Sequence, residues 1–269
     1  MAAEEATVHD DWRATSAGRY LDGRIKSLIL DLAAPRAGER LLDIGCGSGD
    51  HLSLFRKKGC DVTGIDPSPF MLDLARQRLE HRAELRLGRA EDLPFSDNEF
   101  DLVTLITSLE FTDDPDLAVA EAIRVCRGRV FIGVMNRYSL IGAQGRLPDL
   151  FDAPVQSNRR SFHLAGLTAM IRSQLQGVRI QWGSVIFLPW GWYAFGARLE
   201  ERIPVMNNPF GAFFGLAFPI TFSFQTIQQT IREPVVLNPD GGRPMPGVVS
   251  QFKRSNVLPM YPGIGKNGR

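Results

Sequence analysis

The sequence predicts an α/β domain built on a doubly wound, mainly parallel sheet, and two observations carry that prediction. An apolar run at 41–44 leads directly into a turn that has a glycine at every second position. From there to residue 135, short apolar runs alternate with segments of helical periodicity. Such alternation is typical of parallel strands that are joined by crossover helices and buried on both faces.

The elements follow in order along the chain. Apolar positions at helical spacing predict a lead-in helix over 12–34, which Pro35 and Gly38 end. Ser68 and Pro69 form the N-cap and first-turn pair of a later helix. The strands are expected at 41–44, 61–65, 85–88, 100–106 and 129–135, and the helices between them at 50–58, 69–79 and 115–125.

Beyond residue 138 the regular alternation of predicted strands and helices ends. The connection 139–162 is long and polar and contains glycine and proline, and a connection of this length is typical of a functional loop or lid. A helix over 164–175 and strands over 178–188 and 211–221 are predicted after it. In terms of domains, we expect a helical lead-in or cap over 1–38, the α/β domain over 39–224 with an insertion at 189–208, and an irregular Pro/Gly-rich tail over 225–269.

Composition limits the partners that this chain is expected to have. A net charge of +1 over 269 residues gives no electrostatic argument for nucleic acid as a partner. The three cysteines are odd in number and lack zinc or disulfide spacing, which predicts reduced, structural thiols. No signal peptide and no apolar run of about 18 residues is recognisable, so we expect a cytoplasmic protein without a membrane span, for which peripheral membrane contact stays open. The expected state is a monomer or a homodimer.

The glycine turn is the first candidate for a binding site. Gly45, Gly47 and Gly49 permit positive φ and close approach of a ligand, and the N-terminus of the following helix favours an anionic group. Asp50 stands where a dinucleotide fingerprint has its last glycine, so the turn departs from that motif. Asp66 ends the next strand, where a carboxylate can accept hydrogen bonds from ribose hydroxyls. A nucleoside with an amino-acid-like tail fits this spacing.

Four segments carry motifs: Leu41–Asp50, Gly64–Ser68, Ala90–Phe95 and Phe100–Val103. Together they resemble the successive motifs of class I S-adenosylmethionine-dependent methyltransferases. The resemblance covers about 12–137 and is greatest to the small-molecule subgroup that includes the ubiquinone and menaquinone C-methyltransferases. It implies S-adenosylmethionine as cofactor, S-adenosylhomocysteine as product, and a Rossmann-like seven-stranded sheet whose last strand is antiparallel.

The same resemblance implies roles for individual residues. Asp43, Gly45 and Gly47 would hold the methionine end and Asp66 the ribose. Tyr20 is a candidate apart from the resemblance: it either closes the lead-in helix over the cofactor or packs in the core. Arg89 stands where many relatives carry Asp or Asn, so Glu91 or Asp92 is the candidate for the side-chain contact to adenine. The full predicted cofactor set is Tyr20, Asp43, Gly45, Cys46, Gly47, Asp66, Pro67, Met71, Ala90, Glu91 and Thr107.

Methyl transfer from a sulfonium mainly requires a nucleophile held in line with the methyl group, and often a base. Catalytic candidates should follow the fourth and fifth strands or begin the helix after the long connection. They are Glu110, Tyr138 and His163. The alternatives are a solvated loop carboxylate for Glu110 and a surface helix cap for His163.

The acceptor is predicted to be a small molecule, apolar or aromatic, and lipophilic if the aromatic segment 185–224 forms a pocket or a membrane-facing lip. The alternative for that segment is the sheet's own core with an inserted cover. Strand four lacks the Asn-Pro-Pro-Tyr loop of DNA and protein amide N-methyltransferases. Two rival functions remain: a regulatory or degenerate protein that binds the cofactor without turnover, and a nicotinamide-dependent dehydrogenase, which Asp50 disfavours.

Overall fold

The computed structural model describes residues 15–80, 82–136, 160, 162–188, 193 and 200–220. Five helices and seven strands lie within these residues. The helices are α1 Ser16–Ala33, α2 Asp50–Lys57, α3 Pro69–Leu79, α4 Pro115–Val125 and α5 Leu164–Gln174. The strands are β1 Arg40–Ile44, β2 Asp61–Asp66, β3 Glu84–Leu87, β4 Phe100–Ile106, β5 Cys126–Met135, β6 Gln181–Val185 and β7 Phe213–Pro219.

The seven strands form one sheet in the order β3-β2-β1-β4-β5-β7-β6. β7 is antiparallel to both of its neighbours, β5 and β6, whereas β1 to β5 pair in parallel. This confirms the predicted Rossmann-like sheet with an antiparallel last strand. Because the strand order reverses between β1 and β4, a crevice forms at their carboxyl ends, where ligands bind in open α/β sheets.

Helices cover the sheet on both faces, and each face has its own apolar core. α1, α2 and α3 pack on one face, where Leu28 and Phe55 are fully or almost fully buried. α4 and α5 pack on the other face with Val119 and Leu167. The doubly wound arrangement predicted from the alternation of strands and helices is therefore confirmed.

The helix starts follow the capping residues. The Ser68 side chain accepts a hydrogen bond from the Met71 N–H, with Pro69 in the first turn, as the sequence predicts. Thr15 caps α1 and Asp114 caps α4 in the same way. α1 ends one residue before Ala34, which adopts the left-handed conformation.

Six of the seven strands differ from their predicted bounds by one residue or more, and only β4 agrees at both ends. β5 begins at Cys126 instead of 129, because a register shift between Phe100 and Leu102 lets the residues after α4 join the sheet. β3 lies one residue earlier than expected. β6 is shorter than 178–188, since backbone pairing with β7 extends only over Gln181–Val185.

The described aromatic residues of the segment 185–224 belong mostly to the core. Phe187, Phe213, Phe214 and Phe218 are buried, whereas Phe210 is 62% exposed. The three cysteines are buried and unbridged, and no helix in the described part of the chain is long and apolar enough to cross a membrane. Trp190, Trp192, Phe195, Phe222, Phe224, most of the connection 139–162 and the tail 225–269 lie outside the described residues, so the predicted domain division stays a prediction.

Candidate functional site

The glycine turn after β1 is bonded to the end of β2. Gly45, Gly47 and Gly49 have φ values of 73°, 50° and 78°, which L side chains rarely adopt. The N–H groups of Gly45 and Cys46 both donate to the Ile65 carbonyl, at 2.8 and 3.1 Å. The turn therefore keeps a defined shape at the carboxyl edge of the sheet.

The three glycines have different reasons to lack a side chain. A Cβ on Gly45 would lie 2.3 Å from the Ser108 Cβ, so this glycine lets the turn pack against the end of β4. A Cβ on Gly49 would lie 3.1 Å from the Ala75 Cβ on α3. At Gly47, no described atom lies within 4 Å of such a Cβ, so the turn is open there. Gly47 is the place where a ligand can approach the backbone.

Asp66 links this open turn to the start of α3. One carboxylate oxygen accepts the Gly47 N–H at 2.9 Å and the other accepts the Ser68 N–H at 2.9 Å. Burial raises the pKa of Asp66, although these two hydrogen bonds to the ionised form oppose the rise. The predicted ribose-binding carboxylate thus lies directly beside the glycine turn.

Asp43, near the end of β1 and two residues before Gly45, carries a buried carboxylate. Its Oδ1 accepts the Thr104 hydroxyl at 2.7 Å, and its Oδ2 is buried with no hydrogen-bond partner among the described residues. Burial raises the pKa of Asp43 to about 7, the Thr104 hydrogen bond opposes the rise, and the charge of Asp66 adds to it. An oxygen of this kind suits a cationic donor such as an ammonium group.

Helix α1 carries Tyr20 and also Arg24, a candidate binding residue that the sequence analysis did not identify. The Tyr20 ring lies 5.8 Å from the Tyr193 ring, centroid to centroid. One helical turn later, Nε and Nη2 of Arg24 are buried without a hydrogen-bond partner in the part of the chain that the structure describes. The i, i+4 spacing to Tyr20 was the available signal for Arg24. Because a buried guanidinium requires an acceptor, Arg24 is suited to a ligand carboxylate.

The loop after β3 carries Ala90 and Glu91, the residues that are predicted to contact the adenine. The Glu91 carboxylate accepts the Asp113 N–H at 2.8 Å and lies 3.5 Å from Arg89 Nε, while Arg89 also pairs with Asp113. These contacts tie the loop carrying Ala90 to the start of α4. Pro67 is exposed and lies just before α3, and Met71 lies in the first turn of that helix.

Arg124 on α4 supports this loop further along, a role that the sequence did not assign. Its guanidinium donates to the carbonyls of Leu93 at 3.0 Å and Phe95 at 2.9 Å. Glu121, which pairs with Arg124, accepts the Leu93 N–H at 3.0 Å. The loop therefore has a fixed backbone.

The end of β4 is strained beside the glycine turn. Thr107 has φ 50°, an uncommon conformation for a β-branched residue, and its N–H donates to the Gly133 carbonyl at 2.8 Å. The next hydroxyl, Ser108 Oγ, is buried and has no partner in the described ranges. Residues with strained backbone conformations cluster at functional sites. Here the strained Thr107 is followed by Ser108, which packs against the turn at Gly45.

Two of the three catalytic candidates lie near the end of β5. Glu110 is 7% exposed, and its carboxylate accepts the Met135 N–H at 2.9 Å, so it is not a solvated loop carboxylate. His163 precedes α5 in the N-cap position without making a side-chain cap bond. A bridge between Asn136 and Phe162 brings His163 to the end of β5. Tyr138 lies outside the described residues.

A cavity of about 210 Å³ opens at this place. Asn136 and His163 are its polar lining residues. The apolar lining comes from α5, from β6 and β7, and from the segment that precedes β7. These residues are Leu164, Trp182, Pro209, Phe210 and Phe214.

Comparison with known proteins identifies the family. The family model described as a methyltransferase domain matches residues 42–132. A ubiquinone biosynthesis O-methyltransferase of Pseudomonas aeruginosa is 31% identical over 165 residues, which cover 54% of this chain and 68% of the relative. The chain belongs to the class I S-adenosylmethionine-dependent methyltransferases. It spans less than half the length of several other curated relatives that it matches.

Solved structures support the fold alone, because their sequence identity is low. A possible histamine N-methyltransferase of Thermotoga maritima aligns with a TM-score of 0.56 at 24% identity, over 73% of this chain and 89% of that chain. The [4+2]-cyclase SpnF aligns with a TM-score of 0.55 at 23% identity, over 74% of this chain and 81% of that chain.

Proposed function

We propose that this protein transfers the methyl group of S-adenosylmethionine to a small acceptor that is apolar or aromatic. Two observations together carry the proposal: the turn is open at Gly47, and Oδ2 of Asp43 is buried without a hydrogen-bond partner among the residues that the structure describes. Such a crevice fits the amino-acid end of the cofactor. The apolar cavity beyond β5 supports the nature of the acceptor.

The cofactor-binding roles follow from the groups available. Asp43 Oδ2 would accept a hydrogen bond from the cofactor's ammonium group, and Arg24 would pair with its carboxylate. Asp66, already fixed by two backbone N–H groups, would accept the ribose hydroxyls on its remaining lone pairs. Pro67 and Met71 would flank the adenine opposite Ala90. When bound, the cofactor supplies a methyl group that its sulfonium sulfur has already activated.

The chain's own contribution to the reaction is then mainly positioning. The acceptor must approach from the side of β4 and β5, where the cavity opens, and its nucleophilic atom must face the methyl group. His163 is the candidate that would take a proton from the acceptor, because it lines the cavity. Glu110 fixes the end of β4 against Met135, and Tyr138 remains a third candidate on the connection after β5.

The rival function is cofactor binding without methyl transfer. The structural similarity to SpnF, whose name describes a [4+2]-cyclase, favours keeping this rival, because a fold of this kind does not by itself define the reaction. The rival requires the same cofactor site but no acceptor chemistry. Cofactor binding and methyl transfer must therefore be measured separately.

The test is transfer of labelled methyl groups. The full chain is incubated with S-adenosylmethionine carrying a tritiated methyl group and a panel of phenols, quinols, fatty acids and amines. We expect label in an aromatic product extracted into organic solvent, and none with the variant Asp66→Ala. Tight cofactor binding without any labelled product across the panel would instead support the non-catalytic rival.

A further inference from the structure

We propose that the cavity at the start of α5 binds the acceptor as a single aromatic ring with one polar substituent. This inference rests on the proposed function and adds the acceptor's size and shape. It also assigns Trp182, Phe210 and Phe214 as the residues that select the ring. The cavity lies at the end of β5, where its lining residue Asn136 directly follows Met135. The Met135 N–H donates to the carboxylate of Glu110, which follows β4.

The volume sets the size of the ligand. An engineered cavity of about 150 Å³ with apolar walls binds benzene, whereas pockets for drug-sized ligands begin at about 300 Å³. At about 210 Å³, the cavity has room for one substituted ring but not for a fused polycyclic compound. A longer apolar tail would have to leave the cavity past its rim.

The walls favour an aromatic ligand over an aliphatic one. Trp182 from β6, Phe214 from β7 and Phe210 from the preceding segment each contribute a ring. Offset or edge-to-face ring pairs are worth about 0.5–1.5 kcal/mol beyond the burial of area. Phe210 is 62% exposed without a ligand, so a bound ring would remove part of its apolar surface from water.

The rim is held in place before any ligand binds. The Asn136 side-chain amide donates to the carbonyls of Pro209 at 3.1 Å and Gly211 at 3.0 Å. The Asn136 N–H also donates to the Ala212 carbonyl at 2.7 Å. These bonds attach the segment that carries Phe210 to the end of β5. A pocket that is already formed loses less free energy to ordering when it binds.

The polar lining limits the ligand's substituents. Asn136 and His163 lie on the wall formed by the end of β5 and the start of α5, and the remaining lining is apolar. A hydroxyl group on the ring would face these two residues, since a hydroxyl turned toward the leucine, proline and phenylalanine walls would be buried against carbon. The acceptor class is therefore a monocyclic phenol or a similar ring with one hydrogen-bonding group.

The test measures ring binding without the cofactor. The probe is 4-fluorophenol, observed by fluorine NMR in the presence of the full chain. In Leu164→Trp a larger side chain would fill the cavity from the first turn of α5. The matched control is Leu117→Trp, which changes a 46% exposed leucine in the first turn of α4. S-Adenosylmethionine binding is measured in parallel on all three proteins.

We expect the wild type and Leu117→Trp to bind the probe equally, and Leu164→Trp to bind it at least tenfold more weakly with unchanged cofactor affinity. Equal probe binding in all three proteins, or none in the wild type, would overturn the inference. Cofactor binding without probe binding would leave the methyltransferase proposal standing. Probe binding without cofactor binding would support the pocket and contradict the proposed function.

Discussion

The Asp66 carboxylate accepts the backbone N–H of Gly47 at 2.9 Å, although Gly47 lies in the turn after β1 and Asp66 is the last residue of β2. Its other oxygen accepts the Ser68 N–H at the start of α3. One buried carboxylate therefore sets the position of the glycine turn and of the next helix. The turn lies at the carboxyl end of β1, where the strand order reverses toward β4 and where ligands bind in open α/β sheets.

The first prediction separates backbone strain at Gly47 from ligand binding. Gly47→Ala places a methyl group in open space at φ 50° and should cost about 1–2 kcal/mol of stability. Gly38→Ala is the matched control, because Gly38 has φ 82°, no described atom within 4 Å of its Cβ position, and a place before β1. Calorimetry should show at least a tenfold loss of S-adenosylmethionine affinity for Gly47→Ala only. Equal affinities in the two variants would contradict the site.

The second prediction concerns Asp43 and pH. Its pKa in the folded protein is raised from 3.8 to about 7, so the folded chain keeps a proton that the unfolded chain loses. The stability that this proton provides is complete below about pH 4 and is lost as the pH rises through about 7. The shift corresponds to an upper bound of about 4 kcal/mol.

Urea unfolding at several pH values, on the wild type and Asp43→Asn, measures this effect. The difference in unfolding free energy between the two proteins should change steadily between pH 4 and pH 7, with the wild type losing stability relative to the variant. A difference that is independent of pH would show that Asp43 titrates normally.

The third prediction concerns a buried pair at the insertion. Glu200 is fully buried; its carboxylate accepts the Ile186 N–H at 2.8 Å and the Tyr193 hydroxyl. The same hydroxyl accepts the Leu188 N–H at 3.2 Å. Tyr193→Phe leaves an oxygen and an N–H without this partner, so denaturant unfolding should show a loss of about 2–3 kcal/mol. A loss below about 0.5 kcal/mol would mean that water replaces the hydroxyl easily.

The fourth prediction tests His163. If it removes a proton from the acceptor, His163→Gln should lower the rate of methyl transfer at saturating cofactor by about a hundredfold. The cofactor affinity should stay the same, because His163 lines the cavity beyond β5, whereas the proposed cofactor site is at the glycine turn after β1. An unchanged rate would assign His163 to shaping the pocket.

Much of the fold could be predicted because its signals are local. The strand-turn-helix pattern around Gly45, the Ser68–Pro69 cap and the alternation of apolar runs each depend on residues that are neighbours in sequence. The start of β5 could not be predicted in this way, because the bulge beside Phe100 arises from the pairing of β4 with β5. The antiparallel position of β7 was expected from the family resemblance and not from periodicity.

The site shows the same division. Gly47 and Asp66 are recognisable from motif spacing. Arg24 becomes notable only in the structure, where its Nε and Nη2 are buried without a hydrogen-bond partner among the described residues. The hydrogen bonds from the Asn136 amide to the rim of the cavity join residues more than seventy positions apart in the chain. Contacts at such separation leave no pattern in a single sequence.

Titration calorimetry with S-adenosylmethionine tests the central claim most directly. Three proteins are compared: the wild type, Asp66→Ala, and the control Asp61→Ala, which changes the exposed first residue of β2. Asp66 is expected to make charge-assisted hydrogen bonds worth about 1.5–3 kcal/mol each, so its loss should weaken binding by about a hundredfold or more. Asp61→Ala should bind like the wild type. Equal binding by Asp66→Ala, or no binding by the wild type, would contradict the cofactor site.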